Sequence, residues 1–176
     1  MADPFKAPDA RAALFGGGLS AALLVGAWVF QYGFGYAPCI MCYWQRYAHM
    51  AVIATAVAVL GARAIFGRSG GGLPQWLGPL LLLVGLLVSA GLGAYHVGVE
   101  FGLLEGPQAC AVGAVGEGDY NLADPLAALD GEIKGPSCAD VVWSFLGVSM
   151  AGWNAILSLL GALGVARLGL FPRRAA

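Results

Sequence analysis

Charge is what this sequence has least of. Only 11% of its 176 residues are Asp, Glu, Lys or Arg, against 59% hydrophobic residues, whereas a soluble domain carries about 25% charged residues. With a mean hydropathy of +0.76, the polar surface is too small to cover a water-soluble particle. The length suits one domain, residues 1–176. The 9 cations and 10 anions nearly cancel, and no basic run carries interleaved aromatics, so no nucleic acid partner is expected. Also missing are a G-x-G-x-x-G turn opening a helix after a strand and a C-x-x-C-H run, so flavin, nicotinamide and haem have no recognisable seat. Residues Met1 to Arg11 mix two Asp with two cations and make a poor signal-peptide start. The apolar stretch that follows is too long for a signal-peptide core. A short cytoplasmic tail before a retained helix is the expectation.

What is present is apolar sequence rich in small residues, with 28 glycines. Leu, Val and Ala interspersed with Gly fit membrane helices, whose backbones approach closely where side chains are small. No charge occurs between Arg11 and Arg46, a run too long for one span and broken by Gly33, Gly35 and Pro38. Spans are expected at about 13–34, 42–65, 77–97 and 142–165, each near or above the roughly 20 residues that cross a bilayer. Gly67 to Pro74 reads as a short turn, and residues 98–141 as a long outer loop. The fold class expected is an all-α, four-transmembrane-helix up-down bundle. Lys6, Arg11, Arg63, Arg68, Arg167, Arg173 and Arg174 fall on one side, and only Arg46 and Lys134 on the other. The excess of cations puts both termini in the cytoplasm. All four cysteines then face the opposite, oxidising compartment. A loop of this length is often functional; its middle, Tyr120 to Leu129, reads equally as a surface helix or as irregular chain.

The densest chemistry lies in Pro38-Cys39-Ile40-Met41-Cys42-Tyr43-Trp44-Gln45-Arg46. Two cysteines at this spacing close a small disulfide. If Cys42 lies on the first turn of a helix, free N–H groups and the helix dipole favour a thiolate there. A lower thiol pKa improves the leaving group and sets redox poise. Arg46 follows one turn later on the same face, where a charge in an apolar helix is costly and usually functional; the alternative is an Arg snorkelling to headgroups. A zinc site would need Cys39, Cys42, Cys110 and Cys138, but the second pair spans 28 positions and the compartment is oxidising, so no metal is expected. Two structural disulfides are a further alternative, although a bridge between Cys39 and Cys42 removes little loop entropy. A relay fits best: a loop pair that meets a soluble partner, a helix pair at the membrane, and a lipid-soluble acceptor. By elimination that acceptor is a quinone.

These residues resemble the DsbB family of quinone-linked, disulfide-forming membrane proteins. The resemblance rests on Pro38-Cys39-x-x-Cys42 with Gln45-Arg46 and on Tyr95-His96 closing the third span. It extends through Cys138, Trp143-Ser-Phe-Leu-Gly-Val-Ser-Met150 and Trp153-Asn154, and so covers about residues 12–165. It implies an enzyme of the bacterial inner membrane that reoxidises a periplasmic thioredoxin-like oxidase, DsbA, and reduces ubiquinone or menaquinone. The partner would attack a Cys110–Cys138 disulfide at Cys110. Cys138 would then attack Cys39, freeing Cys42 as a thiolate beside the quinone. Arg46 would promote a charge-transfer or covalent adduct there, and His96 matches a family position near the quinone. Some members carry an acid at the position of Gln45, so Arg46 here lacks that countercharge.

Other positions read more simply. His49 is expected to hydrogen-bond inside the bundle, roughly 10 Å below Cys42. Glu100 is expected to be solvated, with a pairing to Arg46 as the alternative. Trp28, Trp44, Trp143 and Trp153 suit an interfacial belt, with Trp44 or Trp143 able to line a quinone site. Gly85, Gly91 and Gly93 suit close helix packing. Two rival readings stand beside the first: a vitamin K epoxide reductase-like enzyme, whose redox pair lies on a late helix, and a non-catalytic membrane scaffold braced by disulfides.

Overall fold

The computed structural model describes residues 6–67, 72, 74–107 and 137–171. Four helical segments are long and apolar enough to cross a membrane: Pro8–Gly33, Ile40–Phe66, Leu77–Glu100 and Met150–Leu170. Their α-helical parts are α1 (Pro8–Trp28), α2 (Ile40–Phe66), α3 (Leu77–Glu100) and α4 (Met150–Val165); α1 and α4 each end in a π-helical turn. Helix α1 packs on α2, α2 on α3 and α3 on α4, and α4 closes back on α1. The result is an up-down bundle with a long connection between α3 and α4.

The bundle is apolar outside and buries a set of polar side chains beside its apolar core. Val25, Val57, Ile65, Leu81 and Leu160 are exposed, while Ser20, Gln45, Arg46, His49, Ser89, His96 and Ser158 are buried. That arrangement suits lipid as the surrounding solvent, because interhelical hydrogen bonds and close packing replace the hydrophobic drive between helices. On α2 the buried face reads Gln45, His49, Val52, Ala56 and Arg63, the periodicity of one helical stripe. Below it lies an apolar core of Ala12, Ala13, Val52, Ala56, Leu82, Leu86, Ala162 and Val165. Glycines admit the close approaches. A side chain at Gly85 would meet Val52 at 2.6 Å, and one at Gly93 would meet the Ala151 carbonyl at 2.9 Å. Gly91, expected to share this role, faces open space.

The helices depart from the expected spans at their ends, each for a local reason. α1 begins at Pro8, with proline in its first turn, where a missing N–H costs nothing. Asp9 and Arg63, both buried, meet at 2.7 Å, so the bundle extends past two charges. α3 runs on to Glu100 and stops where Gly102 takes φ +67. The fourth helix starts only at Met150. Residues 142–149, expected to be helical, include a two-stranded hairpin, β1 (Ser144–Phe145) and β2 (Val148–Ser149). Its turn residues, Leu146 and Gly147, both have positive φ, 53° and 76°, as a tight hairpin turn requires. Ser149 then caps α4, accepting from the Gly152 N–H at 3.1 Å. Most of the turn between Gly67 and Pro74, and Tyr120 to Leu129, lie outside the described residues.

Candidate functional site

Past the π-helical turn of Val29–Gly33, Gly35 at φ +76 redirects the chain, and Pro38 delivers it to the start of α2. Cys39 is the cap of that helix, with extended backbone, and its sulfur accepts from the Cys42 N–H at 3.4 Å. The helix terminus therefore acts first on Cys39. Cys42 lies in the first turn of α2, as the sequence reading supposed, but the N–H it carries points back to the Cys39 sulfur. The two sulfurs are 3.2 Å apart and both are free thiols, since a disulfide bond would measure about 2.05 Å. The hydrogen bond from Cys42 pulls the Cys39 thiol down from 9.0 to about 4, assisted by His96 and opposed by burial.

His96, on α3, brings Nε2 to 3.6 Å from the Cys39 sulfur. These three donor atoms lie within 4.8 Å of one another. Cys138 is disulfide-bonded and fully buried, which leaves it no thiolate for a four-cysteine metal site. It belongs to the same buried cluster as Cys39, Met41 and Val99, against which Trp44 and Tyr95 pack. Cys110 lies outside the described residues.

Arg46 is buried one turn beyond Cys42. It donates to the Gln31 side chain and, at 3.3 Å, to the Ala27 carbonyl, and it lies 5.4 Å from the centre of the Tyr43 ring. It thus turns toward α1, and the alternative pairing with Glu100 does not form. Its partners are neutral, as the absence of an acid at Gln45 implied; Gln45 itself turns toward α3, with Nε2 3.0 Å from Nδ1 of His96. His49 is bonded within the bundle as expected, to Ser20 and Asn154 at 3.1 and 2.8 Å.

Cys39, Cys42, Arg46, His49 and His96 all line one cavity of about 460 Å³. Glu100 and Asp140 stand on its wall as well, together with Phe30, Trp143, Trp153 and Leu157. Phe30 and Trp143 pack with ring centres 4.8 Å apart. Such a space, mostly apolar with a few convergent polar groups, is what a small-molecule site requires. Sequence reasoning did not single out Gln31, Ser89 or Ser158. Their signal was a lone polar residue in an apolar span, weak for serine because its hydroxyl can bond its own helix.

A free dithiol at the cap of a membrane-length helix, sharing a cavity with a guanidinium and an imidazole, defines a membrane-embedded thiol–disulfide protein. The profile of the family described as Disulfide bond formation protein DsbB matches residues 9–167, and the chain belongs to that family. It is similar to the Disulfide bond formation protein B of Marinobacter nauticus, 33% identical over 150 residues that cover 82% of this chain and 83% of that one. The protein of the same name from Methylococcus capsulatus is 36% identical over 164 residues, 88% and 92% of the two chains. That from Azoarcus is 33% identical over 157 residues, 88% and 87%. No solved structure gives a significant match. Membership makes the chain a multi-pass membrane protein of disulfide bond formation, with a disulfide oxidoreductase role.

Proposed function

We propose that this protein oxidises a periplasmic thioredoxin-like dithiol protein and passes two electrons and two protons to a quinone of the bacterial inner membrane. The observation that carries the reading is the shared cavity, into which Cys39, Cys42, Arg46 and His96 all open. A quinone supplies a two-electron acceptor that needs no soluble cofactor fold. The residues suit it: Phe30, Trp143, Trp153 and Leu157 offer apolar wall for a ring and tail, Arg46 offers donors for a carbonyl oxygen, and His96 stands on the same wall.

On this reading Cys138 and Cys110 form the outer pair, the partner's thiolate attacks Cys110, and the electrons reach Cys39 through Cys138. The joint burial of Cys138 and Cys39 in one cluster supports that hand-over. Cys42 faces the acceptor, one turn from Arg46; in the oxidised Cys39–Cys42 disulfide the Cys138 thiolate attacks Cys39, the bond between Cys39 and Cys42 breaks, and Cys42 leaves as a thiolate. The surplus of cations at the end that holds Lys6, Arg11, Arg63 and Arg167 supports cytoplasmic termini and periplasmic cysteines. A scaffold braced by disulfides would not leave Cys39 and Cys42 as free thiols in a cavity. The test mixes purified protein with a reduced thioredoxin-like protein and ubiquinone and follows quinone absorbance. Wild type consumes quinone in proportion to dithiol. A Cys42→Ser variant that keeps the wild-type rate would overturn the reading.

A further inference from the structure

Gln45, His96, Asn154, His49 and three serines form one buried hydrogen-bonded chain that draws on all four helices. Two of its amides are oriented by backbone carbonyls, which can only accept. The Gln45 atom 3.3 Å from the Met41 carbonyl is therefore its nitrogen. The Asn154 atom 3.3 Å from the Ser89 carbonyl is likewise its nitrogen. These independent anchors agree, because Asn154 Nδ2 then donates to Gln45 Oε1 at 2.7 Å. The consequences run both ways along the chain. Gln45 Nε2 donates to His96 Nδ1 at 3.0 Å, so that nitrogen is bare and a neutral ring carries its proton on Nε2. Asn154 Oδ1 accepts from His49 Nε2 at 2.8 Å, so His49 Nδ1 accepts from the Ser20 hydroxyl at 3.1 Å. Ser89 and Ser158, joined at 3.2 Å, close the far side of Asn154.

We propose that Asn154 and Gln45 are positioning residues that hold His96 in the tautomer with its proton on Nε2, aimed at the Cys39 sulfur. Both line the cavity, but their hydrogen bonds run to each other and to His96 rather than to a cysteine sulfur. Asn154, on α4, sets the Gln45 amide on α2, and that amide sets the imidazole on α3. The N–H so presented, 3.6 Å from the sulfur with the Cys138 backbone also in reach of the ring, favours the thiolate of Cys39, the form in which a cysteine attacks or leaves. The assignment rests on the reading of Cys39 and Cys42 as the redox pair. The other titratable or charged groups around this pocket are Cys42, Arg46 and His49 on α2, Glu100 on α3, and Tyr36 and Asp140 from the flanking segments. All of them are unchanged in the variants below.

Two nearly isosteric substitutions separate hydrogen-bond direction from simple charge. In Asn154→Asp the carboxylate only accepts, so Gln45 turns its nitrogen toward it, gives up its bond to the Met41 carbonyl and shows Oε1 to His96. The ring then carries its proton on Nδ1 and presents a bare nitrogen to Cys39. In Gln45→Glu the carboxylate accepts from His96 Nδ1 and from Asn154, so the ring holds both protons and Nε2 still donates to sulfur. The measurement is the pH profile of Cys39 alkylation in the fully reduced protein, resolved by mass spectrometry. Expected is a rise of about one pH unit in the Asn154→Asp midpoint, about tenfold less thiolate at a pH below it. No rise is expected in Gln45→Glu. Added negative charge alone would raise both, and a rise in both, or in neither, overturns the proposal. If either variant fails to fold, ¹⁵N-histidine spectra of the wild-type protein decide: an Nε2-protonated His96 supports the assignment and an Nδ1-protonated one overturns it. Wild-type quinone reduction is measured in parallel. Its absence would sink the redox reading while leaving the tautomer result intact.

Discussion

The two ends of the bundle handle buried polarity in opposite ways. At the end with Asp9 and Arg63, an ion pair at 2.7 Å is set beside apolar packing, and Asp9 Oδ1 has no hydrogen-bond partner among the described residues. At the end with the cysteines, uncharged amides, imidazoles and hydroxyls satisfy one another across four helices. The ion pair joins α1 to α2 through two Arg63 nitrogens on one Asp9 oxygen. The neutral chain depends on the direction of every donor, so it holds the helices in register around the sulfurs. One end is suited to anchoring and the other to orientation.

Substitutions should separate the two ends. The largest effect is expected for Cys42→Ser, which removes quinone consumption down to the background rate while leaving the thermal unfolding midpoint close to wild type. Arg63→Ala should do the reverse. It strands a buried carboxylate, costs about 3–5 kcal/mol of stability by denaturant titration, and leaves the redox chemistry of the surviving folded protein intact. The paired change of Asp9→Asn with Arg63→Met should recover most of that loss, which it would not do if Arg63 were needed for turnover. Arg46→Ala should raise the half-saturating quinone concentration about 10- to 100-fold, the loss of one charge-assisted hydrogen bond. An unchanged value would remove Arg46 from the acceptor site.

Smaller effects follow from packing and from pH. Gly93→Ala meets backbone at 2.9 Å and should cost about 1–3 kcal/mol, whereas Gly91→Ala, with open space around it, should be neutral or slightly stabilising. Cys39 has a folded thiol value depressed from 9.0 to about 4, so its thiolate persists between those values and is lost as pH falls through the lower one. Alkylation of Cys39 in the reduced protein should therefore stay nearly constant from pH 8 to about 5 and drop below about 4. A midpoint near that of a free thiol would show that neither Cys42 nor His96 acts on it.

Much of this was legible beforehand, and particular residues show why. Cys39 and Cys42, and Arg46 one turn on, are local in sequence, so helical periodicity alone put them on one face. The four spans were visible because apolar runs of this length have few other uses. The ends were harder. Pro8 and Asp9 entered α1 because Arg63, 54 positions away, neutralised the acid. Residues 142–149 turned back on themselves because Gly147 and the cap at Ser149 outweighed an apolar pattern that looked helical. Gln45 was read, from the family resemblance, only as leaving Arg46 without a neighbouring countercharge. Adjacent helical residues point about 100° apart, and the partner Gln45 found was His96.

The sequence by itself determined the membrane setting, the number of spans and the identity of the thiols, because each depends on composition or on spacing within one helix. The tertiary structure decided which sulfur caps the helix, which imidazole faces it, and which way each amide is turned. Those properties depend on donors and acceptors from four different helices, and their directions are fixed only once the helices pack.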